Sequence, residues 1–129
     1  MIDPGASVVI TLRWPPPILF PNARNAAHWR KVAGPKQEYR DACFWLTKEA
    51  MGRKRFLQQP QVQIAFFPPD RRRRDRDGCI GAIKALQDGM AQAIGFDDSE
   101  WQPIYTFHPP APPDGRVVVV LTAKGANHE

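Results

Sequence analysis

Residues 70 to 77 read Asp-Arg-Arg-Arg-Arg-Asp-Arg-Asp, and this is the stretch of the chain best suited to chemistry. Four adjacent cations repel one another, and so do two aspartates one residue apart, so a fold gains little from either cluster alone. A polyanion together with a divalent cation would suit both. Arg71, Arg72, Arg73 and Arg74 would hold phosphate oxygens, while Asp75, Asp77 and an aspartate of the pair Asp97-Asp98 would bind a hard cation through oxygen. An all-oxygen donor set favours magnesium (Mg2+) over zinc, which prefers His and Cys. Such an ion polarises a scissile phosphate and helps to generate hydroxide from bound water. Lys84 could neutralise charge that builds on the phosphate in the transition state. The chemistry indicated is metal-dependent phosphodiester hydrolysis on nucleic acid.

Each of these residues also has a plainer reading. Asp77 stands just before an amphipathic stretch, where an aspartate is a favoured N-cap worth about 1 kcal/mol. Asp97 and Asp98 could be a solvated surface turn, although carboxylates beyond a helix C-terminus meet the negative end of the dipole. Lys84 could pair with Asp88 at i+4, worth about 0.3 to 0.5 kcal/mol when exposed. In the run Arg24, His28-Trp29-Arg30, Lys31, Trp29 could stack on a nucleobase or plug the edge of the core.

The elements that must position these residues follow from pattern. Residues 7 to 12 are rich in β-branched side chains and predict a strand, ended by Trp14-Pro15-Pro16-Pro17. From there to Gly34 no period is apparent, which predicts a long basic and aromatic loop. Residues 35 to 51 predict a helix with Pro in the first turn and Gly52 at the stop. The alternation of Val62, Ile64 and Phe66 makes residues 60 to 67 a strand with one buried face. Ile80, Ile83, Met90 and Ile94 give residues 78 to 94 a helical period, closed by Gly95. Two more strands are expected over residues 104 to 107 and 116 to 122, with Asp114-Gly115 as a turn. The valines of the last strand suggest a central position buried on both faces. Residues 124 to 129 read as a loose tail. The order β-α-β-α-β-β predicts a single α/β (α+β) domain over residues 1 to 129, a small mixed sheet packed against two helices.

The bulk properties agree with this picture. A chain of 129 residues can bury a core without staples, and a net charge of +5 favours an anionic partner. Cys43 and Cys79 have no metal-ligand spacing and predict two free thiols. No apolar run approaches a membrane span, and Met1-Ile2-Asp3-Pro4 lacks the basic-then-apolar pattern of a leader, so a cytoplasmic protein is expected.

Taken in order, Ile10-Thr11-Leu12, Trp14-Pro15-Pro16, Asn22, Arg24, His28-Trp29-Arg30, Pro69 with the charged run to Asp77, Lys84-Ala85-Leu86-Gln87-Asp88 and Asp97-Asp98 resemble the RusA-type Holliday junction resolvases. These are small endodeoxyribonucleases, often prophage-encoded, that act in DNA recombination and repair. The resemblance covers residues from about 8 to 122. It implies magnesium held by Asp75, Asp77 and Asp98, with Lys84 as the catalytic lysine, in a homodimer of mixed α/β fold acting on four-way or branched DNA. Arg71 to Arg74, with Arg24, Arg30 and Lys31, would bind backbone phosphates without reading sequence. A four-way junction is cut in two strands, and a two-fold dimer presents two acidic clusters to it. Two departures stand out: Gly78 replaces the family's usual Asn, and Lys84 follows Asp77 at a wider spacing. Two other readings remain, a basic DNA- or RNA-binding protein without activity and an interaction protein whose charged run is a solvated surface.

Overall fold

The computed structural model describes residues 6–124; the expected tail lies almost entirely outside them. Strand β1 (Ser7–Arg13) opens the domain with strict alternation, Val8, Ile10 and Leu12 pointing inward. Its partner is β4 (Arg116–Thr122), antiparallel with Ile10 opposite Val119. Strand β2 (Gln61–Phe67) lies antiparallel on the other side of β4, and β3 (Ile104–Phe107) runs parallel to β2. The sheet order is therefore β1-β4-β2-β3, and a parallel neighbour of β2 requires the long helical crossover that intervenes.

The position of β4 is central, as its valines suggested, but only one of its faces is closed. Val117, Val119 and Leu121 are fully buried, whereas Val118 and Val120 are half-buried. The helices cover one side of the sheet and leave Val9 and Ile104 exposed on strands at its two edges. Such one-sided burial is common where strands pair antiparallel, as β1, β4 and β2 do, since the outer face is solvated without loss of ladder bonds.

Two helices expected from the sequence have different bounds. Helix α2 (Trp29–Met51) begins six residues before Pro35, which lies inside it. Its N-cap is His28, whose Nδ1 accepts the Arg30 N–H at 3.2 Å. A short 3-10 turn (Pro17–Leu19) and helix α1 (Pro21–Ala26) fill much of the segment expected to be loop. Pro21 begins α1 at a position where its missing N–H costs nothing.

The second helix is two helices. Helix α3 (Arg76–Ala82) and helix α4 (Lys84–Ile94) meet at Ile83, which has φ −104° and ψ 17° and is wholly buried. Each packs on a different partner: Gly81 of α3 sits so close to Pro21 of α1 that a Cβ there would stand 2.8 Å from its Cγ, while α4 packs along α2. Two partners in two directions require two axes. On α4, Gly89 lies directly under the Arg40 carbonyl of α2, leaving no room for a side chain. Cys43 and Cys79 are both free and buried. Among the described residues no helix is long and apolar enough to cross a membrane.

Candidate functional site

The charged stretch lies at the end of β2, between Pro68-Pro69 and α3, and Asp70 folds it. The Asp70 carboxylate accepts the Arg72 N–H at 2.9 Å and pairs with the Arg74 guanidinium at 2.9 Å. The Arg72 N–H, together with the Arg74 cation, holds the Asp70 carboxyl below its ordinary range. Arg74 also donates to the carbonyls of Asp70 and Arg72, at 3.2 and 3.1 Å, and lies over the Trp14 ring at 5.5 Å. Arg74 is thus engaged within its own loop, unlike its three neighbours in the run expected to face phosphate. Arg71, Arg72 and Arg73 are exposed.

The two aspartates that follow sit at the start of α3, in an order that differs from expectation. Asp75, not Asp77, occupies the N-cap position, and its side chain makes no capping hydrogen bond. Asp77 lies in the first helical turn. Both are exposed and line a shallow cleft with Arg73, Arg74 and Arg76. Capping therefore does not account for either carboxylate. Gly78 faces Asp75, and a Cβ there would lie 3.7 Å from the Asp75 Cβ, an ordinary contact.

At the other end of the crossover, Gly95 in the left-handed conformation (φ 82°) turns the chain after α4. Asp97 then accepts the Ser99 N–H at 3.0 Å and caps a 3-10 turn (Asp98–Glu100). That hydrogen bond holds the Asp97 carboxyl below its ordinary value. Asp98 behaves oppositely. Its hydrogen bond with Asp88, helped by partial burial and the nearby Asp88 and Asp97 charges, pushes its pKa up to about 6. Asp88, Asp97 and Asp98 line a second cleft of about 360 Å³ with Arg40, whose guanidinium donates to Gln92 at 2.6 Å.

The expected trio of Asp75, Asp77 and Asp98 is thus divided between two clefts. Among the described residues no three His, Cys, Asp or Glu side chains gather to hold one metal ion. A single three-carboxylate cage does not fit. The first cleft nevertheless offers two carboxylates and the second three, Asp97 being engaged with the Ser99 N–H, all without His or Cys. Magnesium takes one or two carboxylates plus water and phosphate oxygens.

Lys84 is exposed at the first position of α4 and forms no ion pair with Asp88, which faces Asp98 instead. Of the outlying cations, Arg24 donates to the Gly81 carbonyl at 3.4 Å and so ties α1 to α3. Arg30 lies over the Trp29 ring at 5.3 Å, and His28 stacks on the same ring with centroids 5.8 Å apart. Trp29 is 65% exposed, so it does not plug the core. Lys31 is exposed beside it.

Sequence reasoning passed over Asp88 as an acidic partner and Arg76 as part of the cleft. For Arg76 the signal was its place between the two aspartates. For Asp88 the signal was Gly95, which permits the reversal that brings Asp98 back along α4. In comparison with known proteins, no protein-family model matches this chain. A protein of Xylella fastidiosa (strain Temecula1 / ATCC 700964), described only as an uncharacterized protein, is 29% identical over 120 residues, which cover 88% of this chain and 74% of that protein.

Proposed function

We propose that this chain is a magnesium-dependent, structure-selective endodeoxyribonuclease that resolves four-way DNA junctions by paired phosphodiester hydrolysis, acting as a cytoplasmic homodimer. The observation that carries the reading is Asp75: a carboxylate at a helix N-cap position that caps nothing, exposed beside Asp77 in a cleft otherwise lined by arginines. Such a cleft suits a phosphate whose negative charge Arg73 and Arg76 would offset, while Asp75 and Asp77 would hold magnesium against it. When bound, the ion would supply Lewis-acid polarisation of the phosphate and a bound water of lowered pKa. Arg71, Arg72 and Arg73 would fix the backbone without selecting sequence, with Arg30 and Lys31 extending the basic surface. Lys84, exposed at the start of α4 and in no ion pair among the described residues, would offset charge on the reacting phosphate.

The deciding experiment incubates purified protein with labelled four-way junctions, with and without magnesium. Symmetric nicks that require the metal are expected. Junctions that are retarded yet intact at every metal concentration would instead establish the second reading, a DNA-binding protein without activity. That reading is favoured by the separation of Asp98 from Asp75 and Asp77.

A further inference from the structure

Behind the arginine cleft lies a smaller cavity of about 180 Å³, walled by Trp14, Phe66 and Phe107 and rimmed by Arg72, Arg74 and Arg76. It shares Arg74 and Arg76 with the cleft that holds Asp75 and Asp77. Its walls are ordered by mutual stacking. Phe66 lies parallel to Phe107 with centroids 4.9 Å apart and meets Trp14 edge-on at 6.1 Å. Two guanidinium groups are fixed on these rings, Arg74 over Trp14 at 5.5 Å and Arg76 over Phe107 at 4.8 Å. Phe66 is almost completely buried, but Trp14 and Phe107 are only partly so, and Arg76 is exposed.

We infer that this cavity receives one unstacked nucleobase of the bound DNA strand, whose adjoining phosphate lies over Asp75 and Asp77. The inference rests on the nuclease reading for its substrate, and on the cavity for the base. A volume of about 180 Å³ is below the roughly 300 to 1,000 Å³ of pockets that enclose drug-sized ligands, a size suited to a single ring system rather than a base pair. The wall chemistry is that of a base rather than a hydrocarbon. Phe107 carries Phe66 and Arg76 on its ring and Trp14 carries Arg74, so the surfaces left to a base are the guanidinium planes, which stack on unpaired bases as aromatic faces do. His108, itself stacked on Phe67, adds a ring nitrogen 2.8 Å from the Thr106 hydroxyl. Charge complementarity selects the occupant further, because the arginines shared by cavity and cleft favour a ring attached to a phosphate. A base paired and stacked within a duplex costs a few kcal/mol to extrude, and that cost falls where stacking is interrupted, as it is at the exchange point of a branch. The cavity would thus supply the preference for branched DNA that phosphate contacts alone do not.

The test measures binding of single-stranded oligonucleotides to the full chain without divalent cation, comparing an oligonucleotide that carries bases with an abasic one of equal length. The base-bearing strand is expected to bind at least about 5-fold more tightly. Phe107→Leu and Trp14→Leu should erase that difference and leave abasic affinity unchanged, whereas Trp29→Ala should preserve it. Equal affinities in the native protein, or no binding of either strand, overturn the inference. So does a difference that survives Phe107→Leu but disappears in Trp29→Ala. Should the Leu variants fail to fold, native protein settles the matter through the Trp14 indole N–H resonance: base-dependent displacement supports the inference, and a displacement equal for both strands overturns it. Because no metal is present, failure of junction cleavage does not affect these outcomes. Cleavage without base-dependent affinity removes the cavity and leaves the nuclease reading standing.

Discussion

One pair of aspartates stands at the start of α3 and another joins the middle of α4 to the turn that follows it, and their surroundings differ in kind. Asp75 and Asp77 are open to solvent with three arginines as neighbours. Asp88 and Asp98 face each other, and Asp98 is held in the protonated direction by that contact. The first pair is compensated from outside by cations of the same loop; the second is compensated internally by a proton only below about pH 6. A carboxylate pair beside arginines is ready for a phosphate and a metal ion together. A pair that shares a proton must lose it before it can hold a cation.

The largest effect should come from replacing the carboxylates themselves. Asp75→Asn is expected to slow junction cleavage at least about 100-fold while leaving junction binding intact, as loss of several kcal/mol of metal-derived stabilisation would require. Asp98→Asn should cost less, about 10-fold, because Asp88 remains beside it as an oxygen donor. Equal losses in single-turnover cleavage would show the two pairs working as one site, and the contrast between them would fall.

Stability should separate the same two regions. Gly89, next to Asp88, lies against the Arg40 backbone, so a Cβ has to push α4 away from α2. Gly89→Ala is expected to destabilise the fold by about 1 to 3 kcal/mol, the usual cost of overpacking. Gly78, next to the open pair, has room, and Gly78→Asn should stay within about 0.5 kcal/mol of the native chain. Denaturant melts of both variants measure this. A tolerant Gly89 would mean that Asp88 is not rigidly placed.

Much of this arrangement was legible in the sequence, and the failures have identifiable causes. The strands were clear because Val62, Ile64 and Phe66 recur at every second residue and Val117 to Leu121 form an unbroken apolar, β-branched run, although that run did not reveal that only one of its faces is closed. The start of α2 was hidden because a histidine serves as its cap and Pro35, normally a helix opener, lies inside. The break at Ile83 was hidden because the apolar period runs through it; what accompanies it is tertiary, the close fit of Gly81 against Pro21 before it and of α4 against α2 after it. The acidic candidates were found by type and spacing, but their grouping depends on the reversal at Gly95 and on tertiary contacts that no local pattern contains.

A third contrast concerns the arginines beside the open pair. Arg72 and Arg73 are exposed, whereas the Arg74 side chain is only 16% exposed and bonded to Asp70. Replacing Arg72 or Arg73 with Ala should weaken DNA binding uniformly across sequences and lower the salt slope by about 1 each. Arg74→Ala should leave that slope nearly unchanged and lower the melting temperature, since it releases the loop carbonyls and Trp14. An equal slope change at all three positions, in affinities measured from low to moderate salt, would return Arg74 to the phosphate-binding set.

The smallest effect tests the closed pair directly. In the folded protein Asp98 titrates at about 6, above its ordinary 3.8, so the fold prefers its protonated form. Its contribution to stability is therefore fully present below the ordinary value and is lost as pH rises through about 6. Because Asp98 is largely solvated, the loss should stay under about 1 kcal/mol. In metal-free protein, carboxyl resonances followed by NMR should show Asp98 titrating well above Asp97. Asp88→Asn should bring Asp98 back toward its ordinary range and reduce the decline in stability between weakly acidic and neutral pH. Magnesium should lower the Asp98 midpoint in the native chain, because a cation competes with the shared proton. If Asp98 instead titrates with Asp97 in the native protein, the two carboxylates do not touch, and the closed pair is as open as Asp75 and Asp77.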